Sequence, residues 1–348
     1  MESSYTEFPR LVMIENKALK KLPEVLDKLD IHAKVVIVAD TITKDIAGNK
    51  IKEDLSGSEL VVIENSRMED VEHIKKSAQG FDCIIGVGGG KVIDPAKMAA
   101  LQLGKAFISV PTAPSHDGLC SENVSLLING RFHSLKARVP LALVADIDIL
   151  KAAPYRLIAS GAADLIAKFT AHYDWNLARE KTGEEYNEYA AELALTSARL
   201  AESNAKAIKE LEDKGIKNLI WGLVLSGTSM SMVSSSRPGS GAEHMFSHAL
   251  DALHSEKGIK GALHGEQCGF GSILTAYLQE RDNPNWERIR DILKEVGAPT
   301  TTEELGVKKD LVVEALARAR DIRNRYTILN EKPVTKEEAL KICEAVGI

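Results

Sequence analysis

Over the first 150 positions, apolar residues come in short runs of mostly β-branched side chains, separated by stretches with helical spacing. The runs Leu11 to Ile14, Lys34 to Ala39, Glu59 to Glu64, Cys83 to Val87 and Ala106 to Val110 read as strands. Helices are predicted between them at about Lys17 to Leu29, Ile42 to Leu55, Met68 to Ala78 and Lys91 to Leu103. Alternation of this kind builds βαβ units, and hence a mostly parallel sheet. Val124 to Ile128 and Arg131 to Arg138 flank Asn129-Gly130, a favoured hairpin turn, and Leu141 to Val144 reads as a closing strand.

Beyond about Leu150 the strand runs stop. Helices are expected over Ile158 to Trp175, Glu184 to Glu212, Leu219 to Ser234, Ala242 to Leu253, Gly265 to Gln279, Trp286 to Val296, Leu311 to Asn324 and Lys336 to Val346. The segments Arg281 to Asn285 and Asn330 to Pro333 look like connectors. The expected organisation is an α/β N-terminal domain over residues 1–150 and an all-helical domain over 151–348.

Length and composition fit this division. At 348 residues and 44% hydrophobic content, two domains are the expectation. A net charge of −6, a pI near 5.9 and the lack of a long basic run argue against nucleic acid as a partner and favour small molecules. The N-terminus, Met1 to Tyr5, shows no basic segment leading into an apolar core, and no apolar run is long enough for a membrane span, so a cytoplasmic protein is expected. Four scattered cysteines form neither a C-x-x-C pair nor a disulfide framework, and Cys83 and Cys343 read as buried small hydrophobes.

Chemistry first shows in the stretch Cys83 to Asp94, where an apolar strand breaks into Gly86, Gly88, Gly89 and Gly90 before a helix begins near Lys91. Glycines of this kind can adopt backbone angles closed to other residues and let peptide N–H groups approach an anion. The helix aims its free amides and positive dipole end at the same place. The spacing is neither G-x-G-x-x-G nor a P-loop, and a ligand-free turn is the competing reading. Asp40 ends the strand before it, where an acid can meet an adenosine ribose or simply cap the helix near Thr43. The loop Pro111 to Ser121 offers Thr112, Ser115, Asp117 and Ser121, while His116 stays unassigned.

A second constellation sits in the helical half. Asp164 lies among small and apolar residues at what reads as a helix start, where a carboxylate needs a partner. His244 and His248 are four apart, hence on one helix face, and His264 precedes another apolar helix. One Asp with two or three His suits Zn²⁺ or Fe²⁺, and the lack of thiolate ligands favours a catalytic over a structural ion. A surface histidine pair and a capping Asp164 are the plainer alternatives. His32, His73, His133, His172 and His254 have no such company.

Taken together, Gly88-Gly89-Gly90-Lys91-Val92-Ile93-Asp94, Ser109 to Ala113, Gly161 to Asp164, Gly241 to His248 and His264-Gly265-Glu266 resemble the iron-containing alcohol dehydrogenase, glycerol dehydrogenase and dehydroquinate synthase superfamily. Pro114 to Gly118, Ser121 and Ser240 to His244 are similar to its archaeal sn-glycerol-1-phosphate dehydrogenase branch. The resemblance implies a dehydroquinate synthase-like fold with a Rossmann-like sheet. It also implies NAD(P) across Asp40, Gly88, Gly89, Gly90, Lys91, Val92, Thr112, Ala113, Ser115 and Ser121. Zn²⁺ (or Fe²⁺) on Asp164, His244 and His264 is implied as well, with Asp117, Asp164 and His248 as catalytic residues. The implied reaction interconverts dihydroxyacetone phosphate and sn-glycerol 1-phosphate, the backbone of archaeal membrane lipids. A glycerol dehydrogenase, a dehydroquinate synthase-like lyase and a non-catalytic nucleotide- or metal-binding protein are the alternatives. Lys168 and Arg237 are candidate phosphate partners or solvated surface groups, and a homo-oligomer is expected.

Overall fold

The computed structural model describes residues 6–32, 34–128, 131–279 and 286–348. By its internal contacts the chain divides into two units, Met1–Ile158 and Ala159–Ile348. The Asn129-Gly130 turn, the Arg281 to Asn285 connector and the first five residues lie outside the described residues.

The first unit is built on eight strands: β1 (Leu11–Glu15), β2 (Val35–Ala39), β3 (Glu59–Val62), β4 (Cys83–Gly88), β5 (Ala106–Pro111), β6 (Asn123–Ile128), β7 (Arg131–Lys136) and β8 (Ala142–Asp146). Six of them form one sheet in the order β1-β8-β5-β4-β2-β3, with every pairing parallel. β6 and β7 pair antiparallel as a separate hairpin whose second strand ends at Lys136, two residues short of expectation. The strand residues of β2, β4 and β8 are buried throughout, as continuous apolar runs covered on both faces should be.

This topology determines where a ligand can sit. From β2 the chain crosses outward to β3, whereas from β4 it crosses the other way to β5. β2 and β4 are neighbours, paired Val38 to Gly86, so the connections leaving their carboxyl ends diverge. Such a switch point leaves a crevice that helices do not fill. Asp40 and the glycine turn border it.

The second unit is helical among the described residues, with breaks the periodicity did not reveal. The segment expected as one helix from Ile158 to Trp175 is two, Tyr155–Ile166 and Lys168–Thr182, so Asp164 lies in the last turn of the first and does not begin a helix. Glu184 to Glu212 is likewise split, into Glu188–Ser203 and Ala205–Lys209. The helix expected to reach Asn324 stops at Arg318 and finishes in a 3₁₀ turn at Ala319–Asp321. Asn330 and Glu331 belong to a short helix, Ile328–Glu331, in the stretch expected to be a connector.

Candidate functional site

In the first unit, the helix Gly90–Leu103 starts directly off β4. Val92 N and Ile93 N already donate to Gly89 O, and the preceding amides, of Gly90 and Lys91, are the ones that helix geometry leaves without an acceptor inside the helix. None of Gly86, Gly88, Gly89 and Gly90 has a positive φ, so backbone freedom is not why they are glycines. Room is. A Cβ on Gly90 would lie 2.3 Å from His116 Nε2 and one on Gly88 2.8 Å from Val92, while one on Gly89 would meet nothing within 4 Å. The turn is therefore walled on two sides and open at Gly89, the form of a cradle.

The residues expected around this cradle gather at the carboxyl edge of the sheet. Asp40 Oδ1 accepts from the amides of Ile42 and Thr43, so the capping role is real, and it leaves Oδ2 for a ligand hydroxyl. Thr112 is tied to the turn by its amide, which donates to Gly88 O. Lys91 is exposed, Val92, Ala113 and Ser121 are buried, and Ser115 is half-buried. His116 accepts from Gly118 N through Nδ1 and packs on Gly90. Asp117 opens a 3₁₀ turn, Asp117–Leu119, in the same loop.

One residue of this unit carried no signal in the sequence. Lys97, 1% exposed, donates from Nζ to the carbonyls of Gly118, Ser121 and Asn123 at 2.6–3.0 Å. It pins the loop that holds Asp117. Burial pushes its pKa down, and the buried carboxylate of Asp94 opposes that.

In the second unit, small residues let three helices close on one point. A Cβ on Gly265 would lie 2.0 Å from Ser160 O, and one on Gly269 2.8 Å from the Ala163 Cβ. The helix His264–Gln279 can thus press against Tyr155–Ile166 with His264 beside Asp164. Gly271 gives the same closeness toward Glu243 and Phe246 on the helix Ala242–Lys257.

One ligand atom each from Asp164, His244, His264 and Cys268 lies within 4.8 Å of the others. His244 Nε2 is 3.8 Å from Asp164 Oδ1, and Cys268 Sγ is 3.6 Å from His264 Nε2. The expectation of a site without thiols is corrected here: Cys268, one helical turn after His264, belongs to the group. Burial, with the Asp164 charge, drives its thiol well above the ordinary value.

Hydrogen bonding prepares the imidazoles as donors. Glu243 Oε1 accepts from Gly241 N and Oε2 from the Thr170 hydroxyl, and His244 Nδ1 lies 2.7 Å from Oε1. With both Glu243 oxygens already accepting, the imidazole proton sits on Nδ1 and the Nε2 lone pair faces Asp164. Burial, then the Lys168 charge, holds His244 well below the usual imidazole range, and burial with Arg323 does the same for His248. Asp174 fixes the start of the helix by accepting from Ala242 N, and burial, then the Glu243 charge, pushes its carboxyl up to about 7. A buried carboxylate and two imidazoles, one with its remote nitrogen held by an acid, form a donor set that fits a divalent transition ion.

His248 is outside that group. Its Nε2 lies 3.0 Å from Arg323 Nη2, and a guanidinium only donates, so Nε2 accepts and the ring proton is on Nδ1. Its ring centroid is 6.1 Å from that of His264. Neither expected phosphate partner is a solvated group. Lys168 is fully buried and donates to Asp164 Oδ1 at 2.8 Å, and Arg237 is buried with both Glu184 oxygens and Tyr326 O as acceptors.

A family model of iron-containing alcohol dehydrogenases matches residues 13–154. The chain is 42% identical to the glycerol-1-phosphate dehydrogenase [NAD(P)+] of Pyrococcus horikoshii, covering 98% of this chain and 99% of the relative. It is 40% identical to the Methanosarcina acetivorans enzyme of the same name, covering 99% and 98%. Among solved structures, a probable glycerol dehydrogenase from Sinorhizobium meliloti superposes with a TM-score of 0.80 at 23% identity, covering 99% of each chain. Glycerol dehydrogenase from Schizosaccharomyces pombe gives 0.80 at 20%, covering 99% of this chain and 91% of that one. The fold is that of the glycerol dehydrogenases, and by its sequence the chain belongs to the family of NAD(P)-dependent glycerol-1-phosphate dehydrogenases.

Proposed function

We propose that the protein interconverts dihydroxyacetone phosphate and sn-glycerol 1-phosphate with NAD(P)H and a zinc ion, supplying a glycerophosphate backbone for lipids. Family membership supports the reaction. The observation that carries the chemistry is the buried Asp164, His244 and His264 set, with His244 turned by Glu243. In this reading Met1–Ile158 is the nucleotide-binding unit, and Ala159–Ile348 holds metal and substrate.

Asp164, His244 and His264 would hold the ion, and Cys268 lies close enough to be a fourth donor. Asp40 would take the ribose, the amides from Gly89 to Lys91 the pyrophosphate, and Val92, Thr112, Ala113, Ser115 and Ser121 would line the rest. When bound, the ion supplies Lewis-acid charge at the ketone oxygen and the dinucleotide supplies the hydride. The chain's own part is proton handling. His248 is a neutral ring with Nε2 held by Arg323 and its proton on Nδ1, so it keeps that proton and orients the substrate oxygen by donating a hydrogen bond from Nδ1. The proton relay falls to Asp117, held on the loop that Lys97 pins. A cytoplasmic homo-oligomer belongs to the same reading and rests on the sequence argument alone.

The test is oxidation of NADH and NADPH by the zinc-loaded protein with dihydroxyacetone phosphate or dihydroxyacetone, followed by chiral analysis of the product. Preferential use of the phosphorylated ketone to give sn-glycerol 1-phosphate is expected. Equal turnover of both ketones, or the opposite enantiomer, sinks the proposal.

A further inference from the structure

Three arginines converge on the segment after the broken helix, and their partners differ. Arg237 is neutralised by Glu184. Arg325 donates from Nη1 to Ser240 O and from Nη2 to Ser236 Oγ, both uncharged acceptors. Arg323 donates to His248 Nε2, likewise uncharged. Among the described residues neither Arg323 nor Arg325 has a carboxylate partner. Both are withdrawn from full exposure, in a protein with a net charge of −6 where most other arginines sit on Asp or Glu.

Arg325 still feels the charges of Glu243 and Glu184, whereas Arg323 is bonded to a neutral ring, a costly arrangement that persists where an anion supplies what the protein withholds. Four acids of this unit are held by other groups. Asp164 accepts from Lys168, Glu243 is engaged with Gly241, Thr170 and His244, and Asp174 holds Ala242 and Ile328. Glu184 is taken by Arg237. Arg323 has donors to spare, because one bond to an imidazole leaves the rest of its fork unused, and a phosphomonoester dianion matches that fork bidentately. Its place relative to the metal donors is also apt: the His248 ring to which it donates has its centroid 6.1 Å from that of His264.

We propose that Arg323, backed by the charge of Arg325, is the specificity-determining group that binds the phosphate of the substrate. This rests on the reading above and gives Arg323 the phosphate-binding role for which Lys168 and Arg237 were candidates. Arg323 thereby does two things. It selects a phosphorylated ketone, and by donating to His248 Nε2 it holds the ring proton on Nδ1, where it can orient the substrate by a hydrogen bond.

The test compares zinc-loaded wild type with Arg323→Met and Arg323→Lys, using dihydroxyacetone phosphate, dihydroxyacetone and inorganic phosphate. In Arg323→Met the ratio of kcat/KM for the phosphorylated over the plain ketone should fall on the order of a hundredfold. Inhibition by inorganic phosphate, competitive with dihydroxyacetone phosphate in wild type, should vanish, while zinc content stays at the wild-type level. Arg323→Lys should restore part of the ratio, keeping charge without the fork. A ratio that stays put, phosphate inhibition that persists in Arg323→Met, or zinc lost from that variant overturns the proposal. Should wild type reduce neither ketone, the broader reading fails instead, and calorimetric titration of inorganic phosphate into wild type and Arg323→Met still decides the site: binding to the first only upholds it, and equal or no binding to both refutes it.

Discussion

The two halves of the chain prepare their ligand sites by opposite means. In Met1–Ile158 the candidate nucleotide cradle is made of backbone and space: an open Gly89, walls at Val92 and His116, and the amides that begin a helix. Its acid, Asp40, is half spent on capping. In Ala159–Ile348 the candidate metal centre is made of buried ionisable side chains, each held by another. A long, multiply charged dinucleotide is met by a shape and many weak dipoles, whereas a single ion needs few strong donors fixed in place. It follows that the two sites should fail independently, and at different scales.

The largest effect is expected at Asp164. Asp164→Ala removes a candidate ligand and the carboxylate that Lys168 bonds, so zinc content should collapse and turnover fall by more than about 10³-fold. Dinucleotide affinity, read by fluorescence titration of NADH, should stay near wild type; its loss would break the separation of the two sites. A smaller loss is expected from Glu243→Gln. Without the carboxylate, nothing charged holds the His244 Nδ1 proton, and zinc affinity measured against a competing chelator should weaken by about 10- to 100-fold. An unchanged affinity would show that the Glu243 contact does not orient the ligand.

Gly90→Ala probes the other half. The new Cβ would press on the His116 ring, which must move off the turn. NADH affinity should fall roughly tenfold, a change on the scale of one lost positioning contact, with zinc content untouched. Zinc loss in this variant would again refute independence. The mildest test concerns acid stability away from either site. Burial, opposed by the Glu192 charge, lowers the pKa of His172, whose Nδ1 is buried without a partner among the described residues. The unfolded chain takes up this proton near pH 6.5 and the folded chain resists it, so stability contributed here falls as pH drops below that value. The thermal midpoint of His172→Leu should therefore decline less between pH 7.5 and 5.5 than that of wild type; parallel declines would show that the group is not coupled to folding.

Much of this was legible in the order of residues. β2 and β4 are buried throughout, so their apolar runs stand out. Asp164 was detectable as an acid among small apolar neighbours, and the His244 and His248 pair by its spacing. The breaks at Ala167 and after Arg318 were not legible, because neither is marked by proline or glycine and the helical pattern runs on through both. Arg323 therefore fell inside the expected helix Leu311 to Asn324 and was not singled out. Cys268 could have been found, since it lies one turn after His264, and so could Glu243, which adjoins His244. Lys97 gave no sign: its partners are carbonyl oxygens of a distant loop, and carbonyls have no sequence signature.

By itself the sequence determined the two kinds of unit, the strand-to-helix glycine turn and most of the donor residues, since periodicity and local composition are properties of neighbouring positions. Only tertiary structure decided what those residues do. It showed that the glycines provide room, not unusual backbone angles, and that the helix glycines let His264 close on Asp164. It also showed that Glu243 sets the tautomer of His244, and that Lys168 and Arg237 are paired with acids while Arg323 is bonded to a neutral ring. Each of these depends on contacts between residues far apart in the chain, where packing and charge pairing are settled.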